Sequence, residues 1–342
     1  MTAPATDNVA VVIVNHDAGE FLARSLACLA HQTLLPARIV VFDNASSDGS
    51  LAAARDVVAR DARLAPRTVF EESGVNLGFA AANNRAVETC DTEFVALLNP
   101  DAFPEPGWLA ALLDAARRYP AAAAFGSRQL LANSPALLDG VGDVYHVTGL
   151  SWRAGHGCPP TAADEHDREI FSACAAAALY RRAAFLEAGG FDEDFFCYFE
   201  DVDLGFRLRL AGHEAVFVSE AVVLHVGGGS SGTGRNDFAV FHGHRNLVWC
   251  FVKNMPSQLL WPLLLAPFSQ SILTAAVSVT RGEFQTIVKA KWHAVLGLPS
   301  CWRKRHTVQS RRRASVATIW RSLDASLWRR RCRPGPRPSI PR

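Results

Sequence analysis

Residues 9–14, VAVVIV, constrain this chain more than any others. An unbroken apolar run rich in β-branched side chains has no polar face to show water, so it becomes a strand covered on both sides. The neighbouring segment has a different period: Phe21, Leu22, Leu26 and Leu29 recur at helical spacing over residues 20–30, and residues 37–42 form a second buried run. That run ends in Asp43 and Asn44, and the turn-rich ASSDGS leads into a helix over 51–60. Strand, helix, strand, helix at this spacing predicts an α/β fold with a parallel sheet, whose ligands bind beyond the carboxyl ends of the strands. Asn15 and Asp43 stand at two such ends.

The pattern continues downstream. Gly74 and Gly78 bracket Asn76 ahead of an Ala-rich helix, and residues 93–98 make another strand that ends in Asn99, Pro100 and Asp101. ALLDAARRYP predicts an amphipathic helix with Leu112 and Leu113 inward and Arg117 and Arg118 outward. The span 126–170 is rich in Gly and Pro and poorly periodic, so it reads as loops facing a substrate.

At 342 residues and 49% hydrophobic content, the chain has enough apolar surface for a full core. Its net charge of +2 conceals an asymmetry: from Arg281 onward 16 Lys and Arg face only Glu283 and Asp324, whereas residues 1–280 carry 19 basic and 31 acidic side chains. A basic tail suits an anionic surface. The acidic body would repel nucleic-acid phosphate, so the tail is read as membrane-seeking and no nucleic-acid partner is expected. The eight cysteines form no CxxC pair and sit in apolar context, which predicts reduced, buried thiols without a zinc site or disulfide framework. MTAPATDNVAVVIVNHD has no basic n-region of a signal peptide, which predicts a cytosolic catalytic face.

After Asn254 the character changes. SQLLWPLLLAPFSQSILTAAVSV is apolar for its length, but Pro262 and Pro267 with Gln258, Ser269, Gln270 and Ser271 favour an in-plane or partly inserted element over a spanning helix. Trp261, Trp292, Trp302, Trp320 and Trp328 beside so many arginines suit the headgroup layer. The plainer alternative is a packed helical appendage with solvated arginines.

The chemistry-bearing residues come late and in order. In the run 195–213, FFCYFEDVDLGFRLRLAGH, aromatic side chains flank Glu200, Asp201 and Asp203. Desolvation and mutual repulsion both raise a carboxyl pKa, which makes the group basic enough to take a proton from a hydroxyl. The same acids would also suit the first turn of a helix. Asp101 closes the strand in FVALLNPDA, a position from which an oxygen ligand reaches a hard divalent cation. His225, in VVLHVGGGSSG, stands between an apolar run and a glycine-rich loop.

Together with the NLGFAAANN segment, these residues resemble the GT-A family 2 glycosyltransferases, most closely their rhamnosyltransferase-like and galactofuranosyltransferase-like branch. The resemblance covers residues 8–255 and rests on VVIVNHD, VFDNASSDGS, NLGFAAANN, LLNPDAFPEPGW and FDEDFFCYFEDVDLGFRLRLAGH, in that order. It implies that Val14 and Asn15 line a nucleotide pocket, that Asp43 bonds the pyrimidine, and that Asn76, Gly78 and Asn83 flank a diphosphate-sugar. Asn99 and Asp101 occupy the family's DXD position, with Asp101 a ligand of Mn2+ or Mg2+, Asn99 a neutral substitute for the first carboxylate, and His225 completing the coordination. Asp201 matches the general base and Glu200 its neighbour in the family's ED pair.

The implied reaction is a metal-assisted, inverting transfer from a nucleotide-diphosphate sugar. The first expectation for the donor is dTDP-rhamnose, followed by UDP-galactofuranose or another UDP-hexose. The implied acceptor is a lipid-linked or other cell-envelope saccharide, met at the cytoplasmic face of the inner membrane by a peripheral or monotopic enzyme. No QxxRW follows the ED pair, which implies single addition, and Cys174 stands where the family usually has Gly before the Arg181–Arg182 pair. The expected organisation is a flexible 1–7, an α/β GT-A domain over 8–255 whose Rossmann-like sheet the resemblance implies to be mixed, an apolar and basic helical appendage over 256–330 that associates with membrane, and a disordered basic tail over 331–342. A dinucleotide-binding dehydrogenase is disfavoured because NHDAGEF, not G-x-G-x-x-G, follows the first strand. A sugar-phosphate nucleotidyltransferase would carry a glycine-rich, Arg-containing first loop, missing here. A degenerate membrane scaffold would have no reason to keep Asp43, Asp101, Asp201 and His225 together.

Overall fold

The computed structural model describes residues 8–227, 237–265 and 282–326. The expectations for 1–7, for 331–342 and for most of 258–280 lie outside those residues. The first half matches the predicted alternation, with β3 and β5 as strands the sequence did not announce: β1 (Val9–Asn15), α1 (Phe21–Ala30), β2 (Arg38–Asn44), α2 (Ser50–Arg60), β3 (Thr68–Ser73), α3 (Gly78–Glu88), β4 (Phe94–Leu98), β5 (Ala102–Pro104) and α4 (Trp108–Arg118). The strands β3, β2, β1 and β4 lie side by side and parallel. β1 is buried from end to end, and its alternate residues feed two different cores. Val9, Val11 and Ile13 pack with Leu22, Leu26 and Leu29 of α1 and Leu109 and Leu112 of α4. Ala10, Val12 and Val14 pack on the other face, with Ala82 and Ala86 of α3.

The second half comprises β6 (Ala122–Leu131), β7 (Ser134–Gly140), β8 (Asp143–Tyr145), β9 (Ser151–Arg153), β10 (Arg168–Glu169), β11 (Ala177–Arg181), α5 (Arg182–Glu187), α6 (Glu200–Leu210) and β12 (Glu214–His225). β11 inserts antiparallel between β4 and β6, so the sheet is mixed, as the GT-A resemblance implies. β12 pairs parallel with β6 and antiparallel with β5, which sets His225 opposite Ala102. The span 126–170, expected to be loops, instead holds the end of β6, all of β7 and β10, and the separate β8–β9 hairpin. Its strands are mostly too short for a period of two to declare itself, which is why the sequence pattern hid them.

The C-terminal helices are α7 (Asp237–Asn254), α8 (Ser257–Leu263), α9 (Phe284–Ser310) and α10 (Val316–Ser322). They close a third core over α6, in which Phe195, Phe206 and Leu210 meet Phe251, Met255, Leu260, Cys301 and Ile319. The C-terminal region is therefore continuous with the body, not hung from it. Among the described residues no helix is long and apolar enough to cross a membrane. Six described cysteines are free thiols, four of them buried, but Cys158 is disulfide-bonded, which corrects the reading of all eight as reduced.

Candidate active site

The carboxyl ends of β1, β2 and β4 open into a cleft of about 650 Å3. One wall comes from the first half of the chain. Val14, His16, Asn44, Asn76 and Gly78 line it. Asn76 Oδ1 accepts from Asn44 Nδ2 at 3.0 Å and from the Gly78 amide at 2.9 Å, while its Nδ2 lies 3.0 Å from His16 Nε2. Gly78 has φ +82°, and a Cβ there would meet the Phe196 ring at 2.5 Å. The position therefore admits only glycine, for conformation and for space.

Asn15, Asp43 and Asn83 stand behind this wall. Asn15 Nδ2 donates to Asp43 Oδ1 at 2.8 Å and to the hydroxyls of Ser46 and Ser50, and Asp43 Oδ2 accepts from the Ser46 amide at 3.0 Å. Both oxygens of the Asp43 carboxylate are thus engaged inside the protein. Asn83, inside α3, donates to the Phe79 carbonyl at 2.8 Å.

The opposite side gathers Asn99, Asp101 and His225, which all line the cleft. His225 Nδ1 lies 2.7 Å from Asp139 Oδ2, and its Nε2 lies 3.4 Å from Asp101 Oδ1 without a hydrogen-bond partner. With Nδ1–H given to Asp139, a neutral imidazole would point a lone pair at a carboxylate oxygen. Only a cation or a proton between them makes that arrangement favourable. Burial works against charge on His225, yet the carboxylates of Asp101 and Asp139 outweigh it and raise its pKa. Asn99 Oδ1 is a second buried acceptor with no hydrogen-bond partner. Among the described residues no three His, Cys, Asp or Glu side chains form a metal cluster, so a divalent ion here would have Asp101, His225 and the neutral Asn99 oxygen as its protein ligands. That set of hard oxygens and one imidazole suits Mn2+ or Mg2+.

α6 closes the floor. Asp201 lines the cleft and accepts from the Ala175 amide at 3.1 Å and from the Val202 amide at 2.8 Å. Glu200 is buried with Oε2 unpartnered, and burial together with the Asp201 charge pushes its pKa well up. Asp203 is fully buried and faces away, held by Arg207 Nε at 2.8 Å, Lys253 Nζ at 2.8 Å and Asn254 Nδ2 at 2.7 Å. The loop feeding α6 carries positive φ at Phe196, Tyr198 and Phe199, a costly conformation for non-glycine residues. Asn246 of α7 holds it: its Nδ2 reaches the carbonyls of Phe195, Cys197 and Tyr198 at 3.0, 3.0 and 2.7 Å.

An acid beside a cleft, across from a paired carboxylate and imidazole at strand ends, suits group transfer from a phosphate ester. Residues 10–188 match the pattern of glycosyl transferase family 2. The chain is also 34% identical over 284 residues to the N-acetylglucosaminyl-diphospho-decaprenol L-rhamnosyltransferase of Mycobacterium tuberculosis, covering 74% of this chain and 86% of the relative.

The chain belongs to glycosyl transferase family 2.

Two solved structures share the fold. GalNAc-T7 with UDP, GalNAc and Mn2+ aligns at a TM-score of 0.59 and 15% identity over 75% of this chain, which spans about half of that protein at 49%. The mannosyltransferase PcManGT from Pyrobaculum calidifontis, in complex with GDP-Man and Mn2+, aligns at 0.54 and 18% identity over 90% of this chain and 86% of its own. In this glycosyltransferase the sequence reading missed a group of cleft residues on β8 and β9: Asp143, Ser151, Trp152 and Arg153. Arg153 contacts Asp139, the partner of His225, and Asp143 accepts from Ser172 Oγ at 3.0 Å. Burial and the nearby Asp201 push the Asp143 carboxyl up to about 8. No motif marks them. The clue for Asn246 was HGHRN, five polar or small residues at 242–246 inside an otherwise apolar stretch.

Proposed function

We propose that this glycosyltransferase moves a sugar, rhamnose from dTDP-rhamnose in the first instance, onto a hydroxyl of a lipid-linked or cell-envelope saccharide, with inversion and with help from a divalent metal. The donor and acceptor classes are supported by the mycobacterial relative, whose name specifies rhamnosyl transfer to a diphospho-decaprenol carrier. UDP-galactofuranose or another UDP-hexose is the next donor. A polyprenyl-linked acceptor fits work at the cytoplasmic face of a membrane, with the C-terminal region towards the lipid.

One observation carries the reading: Asp201 and the pair Asp101–His225 line the same cleft. On this reading Asp201 takes the acceptor proton as the hydroxyl attacks the anomeric carbon, and the Ala175 amide fixes the receiving carboxylate. Glu200, pushed towards its neutral form, spares the site a second negative charge beside the attacking oxygen. Val14, His16, Asn44, Asn76 and Gly78 hold the nucleotide side, with Asn15, Asp43 and Asn83 setting their backbone. Asp101 and His225, with Asn99, would hold Mn2+ or Mg2+, which when bound neutralises charge on a nucleoside diphosphate. A single displacement with one base needs no carboxylate nucleophile.

A donor screen against polyprenyl-linked acceptors, read by mass spectrometry for added sugar, tests the reaction. Asp201→Asn is expected to lower transfer by ~10²–10⁴-fold while donor binding survives. Asp101→Ala is expected to abolish the stimulation by Mn2+ or Mg2+. Metal-stimulated transfer undiminished in both variants would overturn the assignment.

A further inference from the structure

α9 is apolar on two faces. Ile287, Ala290, Ala294, Cys301 and Arg305 are buried on one of them. There Trp249 of α7 donates from Nε1 to the Ala294 carbonyl at 2.9 Å and packs so close to Gly297 that a Cβ would meet its ring at 2.3 Å. Among the described residues the other face has no such partner. Phe284, Val288, Trp292, Val295, Leu296 and Trp302 fall within one sector of about 120° at 3.6 residues per turn, and all are exposed, Trp292 by 62%. Trp261 of α8 lies 6.1 Å from Trp302 between ring centroids, and Leu265, just past α8, is 77% exposed. The stripe therefore runs on from α9 across α8, along a helix about 40 Å long. Surface apolar patches of that extent on a folded chain mark a docking site.

Charge decides the occupant. α9 carries five Lys and Arg and no Asp or Glu, with Lys289 and Arg303 exposed beside the stripe. The whole region from Arg281 holds 16 basic residues against two acidic. A second copy meeting this face by two-fold symmetry would set one such basic surface against another. Nucleic acid would satisfy the charges and leave the tryptophans wet. An anionic bilayer satisfies both, taking the apolar stripe to the acyl boundary and the cations to the headgroups.

We propose that the outer face of α9, continued by Trp261 and Leu265, is the surface by which this protein lies on an anionic lipid membrane. α7 connects that surface to the chemistry. Phe238 and Gly243 of α7 line the active-site cleft, while Trp249 of the same helix carries α9. The membrane-facing helix is thus separated from the cleft by the thickness of one helix, about 10 Å. A saccharide on a lipid diphosphate reaches the cleft from that side without its tail leaving the bilayer. This use of the surface rests on the lipid-linked-acceptor reading; the binding does not.

The test uses the full chain with vesicles of phosphatidylcholine alone or mixed equally with phosphatidylglycerol, floated at low and high salt. The wild type is expected to float with the anionic vesicles and to be partly released by salt. Trp292→Glu combined with Val295→Asp is expected to lower the bound fraction at least tenfold. Both sites are exposed, so circular dichroism and transfer to a water-soluble saccharide acceptor should match the wild type. Flotation unchanged in the double variant overturns the proposal. So does loss of flotation only on truncation after Ser326, which would assign binding to the basic tail. A stable dimer by light scattering that Trp292→Glu dissociates assigns the face to a second copy and overturns it equally. Failure of all sugar transfer with flotation intact would instead strike the proposed function and leave this surface standing.

Discussion

Three carboxyl groups near the cleft are chemically identical and physically sorted. Asp201 reaches the cleft with a backbone amide on its oxygen; Glu200 and Asp143 are buried and driven towards their neutral forms, Asp143 up to about 8. A raised folded pKa in an acid means that folding opposes ionisation, so Asp143 costs stability from the unfolded carboxyl range upward, and the cost is complete once pH passes about 8. Asp143→Asn, which can still accept from Ser172, is expected to melt above the wild type at pH 8 and level with it at pH 4; thermal melts at both values decide it. Asp139 shows the opposite device. Burial would raise its carboxyl, but His156, His225 and Arg153 hold it far below the ordinary range, fixing the imidazole tautomer that turns Nε2 to Asp101. Asp139→Asn is expected to weaken Mn2+ binding ~10–100-fold by paramagnetic titration, apart from any effect on turnover. The acidic run at 200–203 was visible in the sequence, and so was its departure from an ordinary surface helix. The resemblance singled out Asp201 within it, but not the surroundings of each acid, because Ala175, which donates to Asp201, and Lys253 and Asn254, which hold Asp203, are distant in sequence. Asp139 belongs to no motif at all.

At the scale of elements, strands and helices with a clean period were legible: β1, β2, β4, α1 and α2 fall within a residue or two of their sequence-based bounds, and α4 starts three residues ahead of ALLDAARRYP. β3, TVFEES, escaped because it is a half-exposed edge whose Glu71 and Glu72 break the apolar signal. The loop before α6 escaped for a different reason. Its aromatic run carries no turn signal, yet three of its residues take positive φ. Only contacts from elsewhere sustain that, and the Asn246 amide, donating to three loop carbonyls, is the chief one. Asn246→Ala is expected to cost ~1–3 kcal/mol in chemical denaturation. It should also lower kcat about 10²-fold by freeing the approach to Asp201, with donor KM little changed. Asn246→Asp should be worse than Ala at neutral pH, because a carboxylate cannot donate to carbonyls and repels them.

Across the whole molecule, one buried ion network ties the catalytic helix to the C-terminal region. Lys253 of α7, almost fully buried, bonds Asp203 of α6 at 2.8 Å and Asp192, and Lys304 of α9 also reaches Asp192 and, at 2.6 Å, Asp194. Arg305 adds neutral ties by donating to the Val252 and Met255 carbonyls at 2.7 and 2.6 Å, the free end of α7. Burial alone would raise Asp192, but Lys253 and Lys304 outweigh it and hold the carboxyl well below its ordinary range. Its contribution is therefore present above the unfolded carboxyl range near pH 4 and lost as pH falls towards the folded value. Lys253→Met keeps the volume and removes the charge, leaving Asp203 with Arg207 and Asn254, and Asp192 with the Asp194 amide and the partly exposed Lys304. Breaking a buried pair from one side costs about 3–5 kcal/mol, more than the methionine's packing returns. The expected outcome is a lower melting temperature at pH 7, with the gap to wild type closing as pH falls from 4 towards the folded value, where the carboxyls take up protons. A gap that stays constant across that range would mean that packing, not charge, joins α6 to the C-terminal helices.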